Sequence, residues 1–263
     1  MHSILLIGCG NMGGAMLTGW LAAGIPASRF TVVDPYLAET PAGVKLLREL
    51  PQGTFDGILL GVKPQLLGEV APQLARLAGS DTVLLSILAG AELDSLAVRF
   101  PAARGLVRIM PNLAAAIGKS PIALAQRGLD EAGKAEVTAL MTPRGTPEWI
   151  DEGLFDAVTA LAGSGPAFVY RFIDALAAGA TALGLPAAQA ERLALAAVEG
   201  AGALASASPH SPGELARRVA SPGGTTEAGL KTLDADAALA RLVAATLKSA
   251  ADRSAEMAAA ARD

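Results

Sequence analysis

Charge is scarce in this chain of 263 residues. Asp, Glu, Lys and Arg make up 17% of it, against about a quarter in an ordinary soluble protein. That excludes a disordered or acidic-tail protein, which could not bury enough apolar surface to order itself. The 21 basic residues face 25 acidic ones, for a net charge of −4. No basic block is present to meet a phosphate backbone, so nucleic acid is not expected as a partner. A single cysteine excludes an intrachain disulfide framework and a cysteine-rich metal site, and makes a reducing cytoplasm the expected location. Histidine is nearly absent: His2 and His210 are the only two. The length fits one to two domains with a real core. The missing charge must therefore lie inside a protein or inside a membrane.

Residues 1–28 contain no Asp, Glu, Lys or Arg. A signal peptide needs a positive n-region, and none precedes Ile4. A spanning helix needs roughly 20 predominantly apolar residues. Here Gly8, Gly10, Gly13, Gly14, Gly19, Gly24 and Pro26 interrupt the run. The same residues read better as strand, turn and helix, and no membrane anchor is expected.

Ser3-Ile4-Leu5-Leu6-Ile7 is a continuous apolar run of the kind a buried parallel strand requires. Gly8-Cys9-Gly10-Asn11-Met12-Gly13 follows as G-x-G-x-x-G. Met16-Leu17 and Trp20-Leu21 then fall on one helical face, until Gly24 stops the helix. Phe30-Thr31-Val32-Val33 is a second strand that ends in Asp34, 21 residues beyond Gly13. In such a unit the first glycine makes the tight turn and the second lets backbone approach a pyrophosphate. The third allows close helix–strand packing, and the helix N-terminus holds the phosphate charge. Gly8, Gly10, Asn11, Met12, Gly13 and Asp34 are therefore candidate dinucleotide contacts. A structural glycine turn in some other βαβ unit is the alternative.

Apolar strands at 57–62, 82–87 and 105–110 continue the alternation, with a helix expected over 65–77 and edge strands at 121–125 and 148–150. This is the pattern of a doubly wound α/β sheet with ligands at the carboxyl ends of its strands. After residue 156 the composition changes. Only six charged residues fall among the 53 of 156–208, and no β-branched runs intervene. The second half reads as all-helical, with helices at 227–233 and 237–261 near its end. Helices so rich in Ala and so poor in charge fit a buried bundle shared between subunits.

In order along the chain stand Ile7 to Gly13, Gly61-Val62-Lys63-Pro64, Arg108-Ile109-Met110-Pro111-Asn112, and Asp156-Ala157-Val158-Thr159-Ala160-Leu161 before Gly163-Ser164-Gly165-Pro166-Ala167. Val219-Ala220-Ser221-Pro222-Gly223-Gly224-Thr225-Thr226 closes the series. On these motifs the chain resembles the pyrroline-5-carboxylate reductase family over essentially its whole length. The resemblance implies an N-terminal Rossmann dinucleotide-binding domain over 1–155 and a helical substrate-binding and dimerisation domain over 156–263. It implies hydride transfer from NADPH or NADH to C5 of the cyclic imine 1-pyrroline-5-carboxylate, giving proline. It also implies a homodimer, with decamers as a further assembly. Reducing an imine calls for no metal, and an iminium already carries its proton, so the shortage of histidine is no obstacle.

By the same resemblance Ser221, Gly223, Gly224, Thr225 and Thr226 hold the substrate carboxylate, and Thr226 orients the ring nitrogen as the one catalytic candidate. A Gly-rich turn entering a helix suits an anion. A plain helix cap with Thr225 or Thr226 at the N-cap is the alternative. Glu152 matches a family carboxylate near the substrate amine, or is an ordinary loop acid. Val62, Lys63, Pro64 and Ala89 line the cofactor crevice, with Lys63 near phosphate or ribose, or simply solvated. Asn112 faces the nicotinamide or forms a turn. Cys9 is a small filler in the phosphate loop. Pro209 stands where the family has an acid. Asp34 suits a ribose 2′-hydroxyl and repels a 2′-phosphate, and no arginine follows until Arg48, so NADH use is favoured. A different two-domain reductase would carry a catalytic Lys on the helix after Gly165, where Arg171 is the only basic residue before Leu185. A non-catalytic dinucleotide-binding protein would not need the 221–226 segment.

Overall fold

Residues Ile4–Ile7 form β1 with every side chain buried, and the alternation of a pleated strand divides them. Ile4 and Leu6 join one apolar cluster, Leu5 and Ile7 the other, so the sheet is covered on both faces, as a parallel sheet must be. The elements of this first unit are β1, α1 (Asn11–Ala22), β2 (Phe30–Val33), β3 (Lys45–Leu47), β4 (Gly57–Leu60), α2 (Leu67–Leu74), β5 (Val83–Ser86), α3 (Leu93–Arg99), β6 (Gly105–Met110), β7 (Ser120–Arg127), α4 (Glu131–Met141), β8 (Gly145–Trp149) and α5 (Phe155–Val158). The sheet order is β3-β2-β1-β4-β5-β6-β7-β8. The pairs from β3 to β6 are parallel, β7 runs antiparallel to β6, and β8 is parallel to β7. Order reverses at β1, so the carboxyl ends of β1 and β4 form the switch point where a doubly wound sheet takes its ligand. The Rossmann reading holds.

Helix α1 is fixed on one face by Met16, Leu17 and Trp20, all buried. The Trp20 ring stacks on Phe30 at 5.3 Å, and its Nε1–H donates to the Leu140 carbonyl at 2.8 Å. Three details differ from the sequence expectation. β3 has no counterpart in it, being three residues long with an exposed first residue. The expected edge strand at 121–125 is an inner strand, since β8 pairs outside it. The expected helix over 65–77 is a 3₁₀ turn at Pro64–Leu66 followed by α2, which contains Pro72.

The computed structural model describes residues 1–260, in two compact units: residues 1–164 with 248–260, and residues 165–247. The second unit is helical, as expected. Helix α6 (Gly165–Ala182) packs on α7 (Ala187–Ala207) across a turn in which Gly184 has φ +103°. Their shared core is small: Ala177, Ala190 and Ala194, flanked by Ile173, Ala180 and Leu185. Val169, Tyr170, Phe172, Leu193, Leu195 and Leu204 stay exposed on the single chain. Helix α8 (Pro212–Val219) is capped by Ser211, whose Oγ accepts from the Glu214 N–H. Then follow α9 (Thr225–Asp234) and α10 (Ala238–Ala260); residue 261 of the expected 237–261 helix lies outside the described residues. Residues 248–260 of α10 belong to the first unit, where the Ser254 hydroxyl donates to Asp156 Oδ1 at 2.7 Å. Among the described residues no helix is long and apolar enough to cross a membrane.

Candidate active site

In the first unit the site is built at the end of β1. Gly8 has φ +81°, and a Cβ there would stand 2.9 Å from both the Gly61 carbonyl oxygen and the Val62 nitrogen. Gly61 is equally confined, since its Cβ would lie 2.7 Å from the Gly8 carbonyl oxygen. Two glycines thus let the ends of β1 and β4 touch backbone to backbone. Gly13 faces the same carbonyl of Gly8, at 3.1 Å from a notional Cβ, which sets α1 close to β1. Gly10 is different: a Cβ there meets nothing within 4 Å. Gly10 is also the N-cap of α1, with no side-chain cap and no acid in the first turn. The first N–H groups of a 12-residue helix therefore open onto free space beside an exposed Gly10 and Asn11. These features fit a pyrophosphate, whose charge the helix N-terminus favours. Met12 is half-buried behind them.

Asp34 closes the loop from the side. Its Oδ2 accepts from the Cys9 N–H at 2.9 Å, and its Oδ1 from the Tyr36 and Leu37 N–H groups at 2.9 and 3.0 Å. Burial pushes this carboxyl up, but the three N–H bonds and the nearby Arg48 together hold it below its ordinary value. An ionised, half-exposed acceptor thus sits at the end of β2. Cys9 is buried, and desolvation with the Asp34 charge raises its thiol to about 11. At neutral pH it is a protonated filler, not a nucleophile.

Val62 and Pro64 are half-buried and Lys63 is exposed, at the start of the 3₁₀ turn after β4. Ala89 is half-exposed in the loop after β5. Its neighbour Gly90 has φ +77° and abuts the backbone of α10, with a notional Cβ 3.1 Å from the Met257 carbonyl oxygen. The last turns of the chain thus back the loop that carries Ala89, a contact no sequence pattern announces.

Glu152 sits in the same unit with defined partners. Its Oε1 accepts from Arg108 NH1 and from the Leu93 N–H, both at 2.7 Å. Arg108 is 6% exposed and lies over the Phe155 ring at 4.2 Å. Asn112 forms the turn: its Oδ1 accepts from the Ala114 N–H and its Nδ2 donates to the Ala162 carbonyl, each at 2.9 Å.

In the second unit, Ser221, Thr225 and Thr226 are exposed around the start of α9. The N-cap is Gly224 and no side chain caps it, so neither threonine is a plain helix cap. Gly223 has φ +69°, and Gly224 N–H donates to the Ser221 carbonyl at 2.9 Å. A Cβ at Gly224 would stand 2.5 Å from Ser221 Oγ and 3.0 Å from the Ser221 carbonyl oxygen, so a larger residue there would have to displace the serine side chain. Glu227 belongs to the turn as well, although none of the quoted motifs includes it. Its Oε2 accepts from the Gly223 N–H at 2.6 Å, and its Oε1 pairs with Lys231 at 3.2 Å. An acid at the third helical position reaching back to the entering turn is a capping-box signal. His210 lies 3.3 Å from Glu214, on the helix before this turn.

A family model for pyrroline-5-carboxylate reductase dimerisation matches residues 152–257. The pyrroline-5-carboxylate reductase of Pseudomonas aeruginosa is 35% identical over 97% of this chain and 96% of its own. The structure of the Coxiella burnetii pyrroline-5-carboxylate reductase superposes with a TM-score of 0.91 at 28% identity, covering 97% of this chain and 98% of that one. The Plasmodium falciparum enzyme, solved with NADP bound, shares the fold with a TM-score of 0.82 at 24% identity, over 97% and 98% of the two chains. At 35% identity over nearly the whole of both chains, and with the same fold, the chain belongs to the pyrroline-5-carboxylate reductase family.

Proposed function

We propose that the protein reduces 1-pyrroline-5-carboxylate to L-proline with NADPH or NADH, as the last step of proline synthesis in the cytoplasm. The relatives named above carry that activity in their names. The observation that supports it most within this chain is the 221–226 turn. A helix of ten residues begins there with no side-chain cap and with both threonines exposed. The ring carboxylate of the substrate docks on this turn, with Ser221 and Thr225 supplying donors and with Gly223 and Gly224, whose N–H groups are bonded within the turn, shaping the seat. The Thr226 hydroxyl takes the ring nitrogen and fixes the imine carbon for attack. Gly8, Gly10, Asn11, Met12 and Gly13 would hold the pyrophosphate of a reduced nicotinamide dinucleotide, which would supply the hydride.

The chain's own residues need only bind, orient and exclude water. The imine enters as the iminium, so hydride at C5 leaves the neutral ring nitrogen of proline and no side chain must hand over a proton. Val62, Lys63, Pro64 and Ala89 border the cofactor, and Asp34 accepts from a ribose hydroxyl. Glu152 serves as a substrate-side acid in addition to its pairing with Arg108. The chain works as a homodimer, able to build a decamer.

Thr226→Ala tests the assignment. Losing an orienting hydrogen bond is expected to lower kcat by about 10-fold to 1,000-fold, with thermal stability unchanged because Thr226 is exposed. An unchanged kcat removes Thr226 from the mechanism.

A further inference from the structure

The end of β2 carries a contradiction if the site takes NADPH. Asp34 presents an ionised carboxylate at the end of β2, the strand end that in a dinucleotide fold faces the adenosine ribose, and this charge would repel a 2′-phosphate. The parallel register between β2 and β3 pairs Val33 with Leu47, and the Asp34 N–H donates to the Leu47 carbonyl at 3.1 Å. The next residue of β3's path, Arg48, therefore stands beside Asp34 at the same edge of the sheet. It is exposed, yet its guanidinium is fixed. NH1 donates to the Asp34 carbonyl and to the Leu37 carbonyl, both at 2.7 Å.

Both hydrogens of NH1 are used in this way, and Nε and NH2 donate to no described residue. A guanidinium carries five N–H donors in a rigid fork, so three remain for a ligand. The carboxylate offers about four acceptor directions, of which Cys9, Tyr36 and Leu37 fill three. One acceptor from Asp34 and a free face of a positive fork thus lie side by side. The first suits a ribose hydroxyl. The second suits a phosphate dianion.

We propose that Arg48 is the 2′-phosphate contact of this chain, so that NADH is recognised through Asp34 and NADPH through Arg48 at one site. Arg48 reaches the end of β2 from the adjacent strand instead of following the acid in sequence. The local charge at the ribose is then balanced, where Asp34 alone would leave it negative. This inference rests on the dinucleotide reading of the glycine loop, and its test separates the two.

Binding of 2′,5′-ADP and of 5′-AMP to the purified chain is measured by calorimetry for wild type, Arg48→Gln and Arg48→Leu. Glutamine keeps a donor for the turn carbonyls but no charge. Both variants are expected to lose about 10-fold or more in affinity for 2′,5′-ADP, while 5′-AMP changes by less than about 2-fold. The ratio of kcat/KM for NADPH to that for NADH falls by the same factor. Equal losses for both nucleotides overturn the proposal, because Arg48 then acts only by holding the 34–37 turn. Unchanged affinity for both overturns it as well. Wild-type protein that binds neither nucleotide overturns the dinucleotide reading and the proposal with it.

Discussion

Two glycines of the same loop do opposite things, and their substitution separates stability from binding. Gly8 occupies a left-handed conformation with backbone 2.9 Å from where a Cβ would go. Gly8→Ala must strain or displace the β1–β4 contact, and about 1–3 kcal/mol of stability should be lost. Gly10 has φ −70° and open space around it. Gly10→Ala should cost no more than about 1 kcal/mol, the effect of an alanine at an N-cap. The methyl group nevertheless fills the space for the pyrophosphate, so nucleotide affinity should drop steeply. Thermal unfolding and nucleotide titration on the two variants read these effects apart. Weak nucleotide binding in the Gly8 variant alone would contradict the assignment of Gly10. The sequence exposes both glycines through the spacing G-x-G-x-x-G after an apolar strand. It does not reveal the close approach at Gly61, because a glycine at a strand end has no spacing to mark it. Arg48 is hidden in the same way: its role depends on the register of β3, which is too short to show as a pattern.

At the scale of elements, one carboxylate joins three pieces of the first unit. Glu152 stands after β8, accepts from the first N–H of α3, and pairs with Arg108 of β6. The Arg108 side chain is 7% exposed and the Glu152 side chain 31%, so the pair is only partly shielded. Removing the acid leaves a nearly buried guanidinium without its counter-charge and a helix without its N-terminal acceptor. Glu152→Ala is expected to cost about 1–3 kcal/mol, lowering Tm by about 2–12 °C for a chain of this size. Unchanged Tm with a raised KM for the imine would show that Glu152 serves the substrate alone. The family resemblance points to Glu152 but not to this tie, since its partners lie 44 and 59 positions away. Elements with a strong internal pattern are legible: β1, β2, β4, β5 and β6 are apolar runs. Helix α4 and strand β3 are not, because their residues are mixed and half exposed.

At the scale of the molecule, the low charge of the chain has two physical explanations. The uncharged first 28 residues are mainly β1, the glycine loop and α1, whose large apolar side chains Ile4 to Ile7, Met16, Leu17 and Trp20 are buried in the sheet's two clusters. The uncharged helices of the second unit are not covered in the single chain, whose own core there is three alanines. Faces with Leu193, Leu195 and Leu204 exposed are core-like surfaces of the kind an obligate partner buries. The family model matched over this region describes dimerisation. Sedimentation of the purified chain is expected to give a dimer or a multiple of it, and a stable monomer would contradict the subunit assembly.

The central claim is chemical. Purified protein is mixed with NADPH, or with NADH, and 1-pyrroline-5-carboxylate is added while cofactor oxidation and L-proline are followed together. The expected result is oxidation that depends on the imine and yields one proline per cofactor oxidised. Folded protein that binds nucleotide yet oxidises neither cofactor on addition of the imine would contradict it.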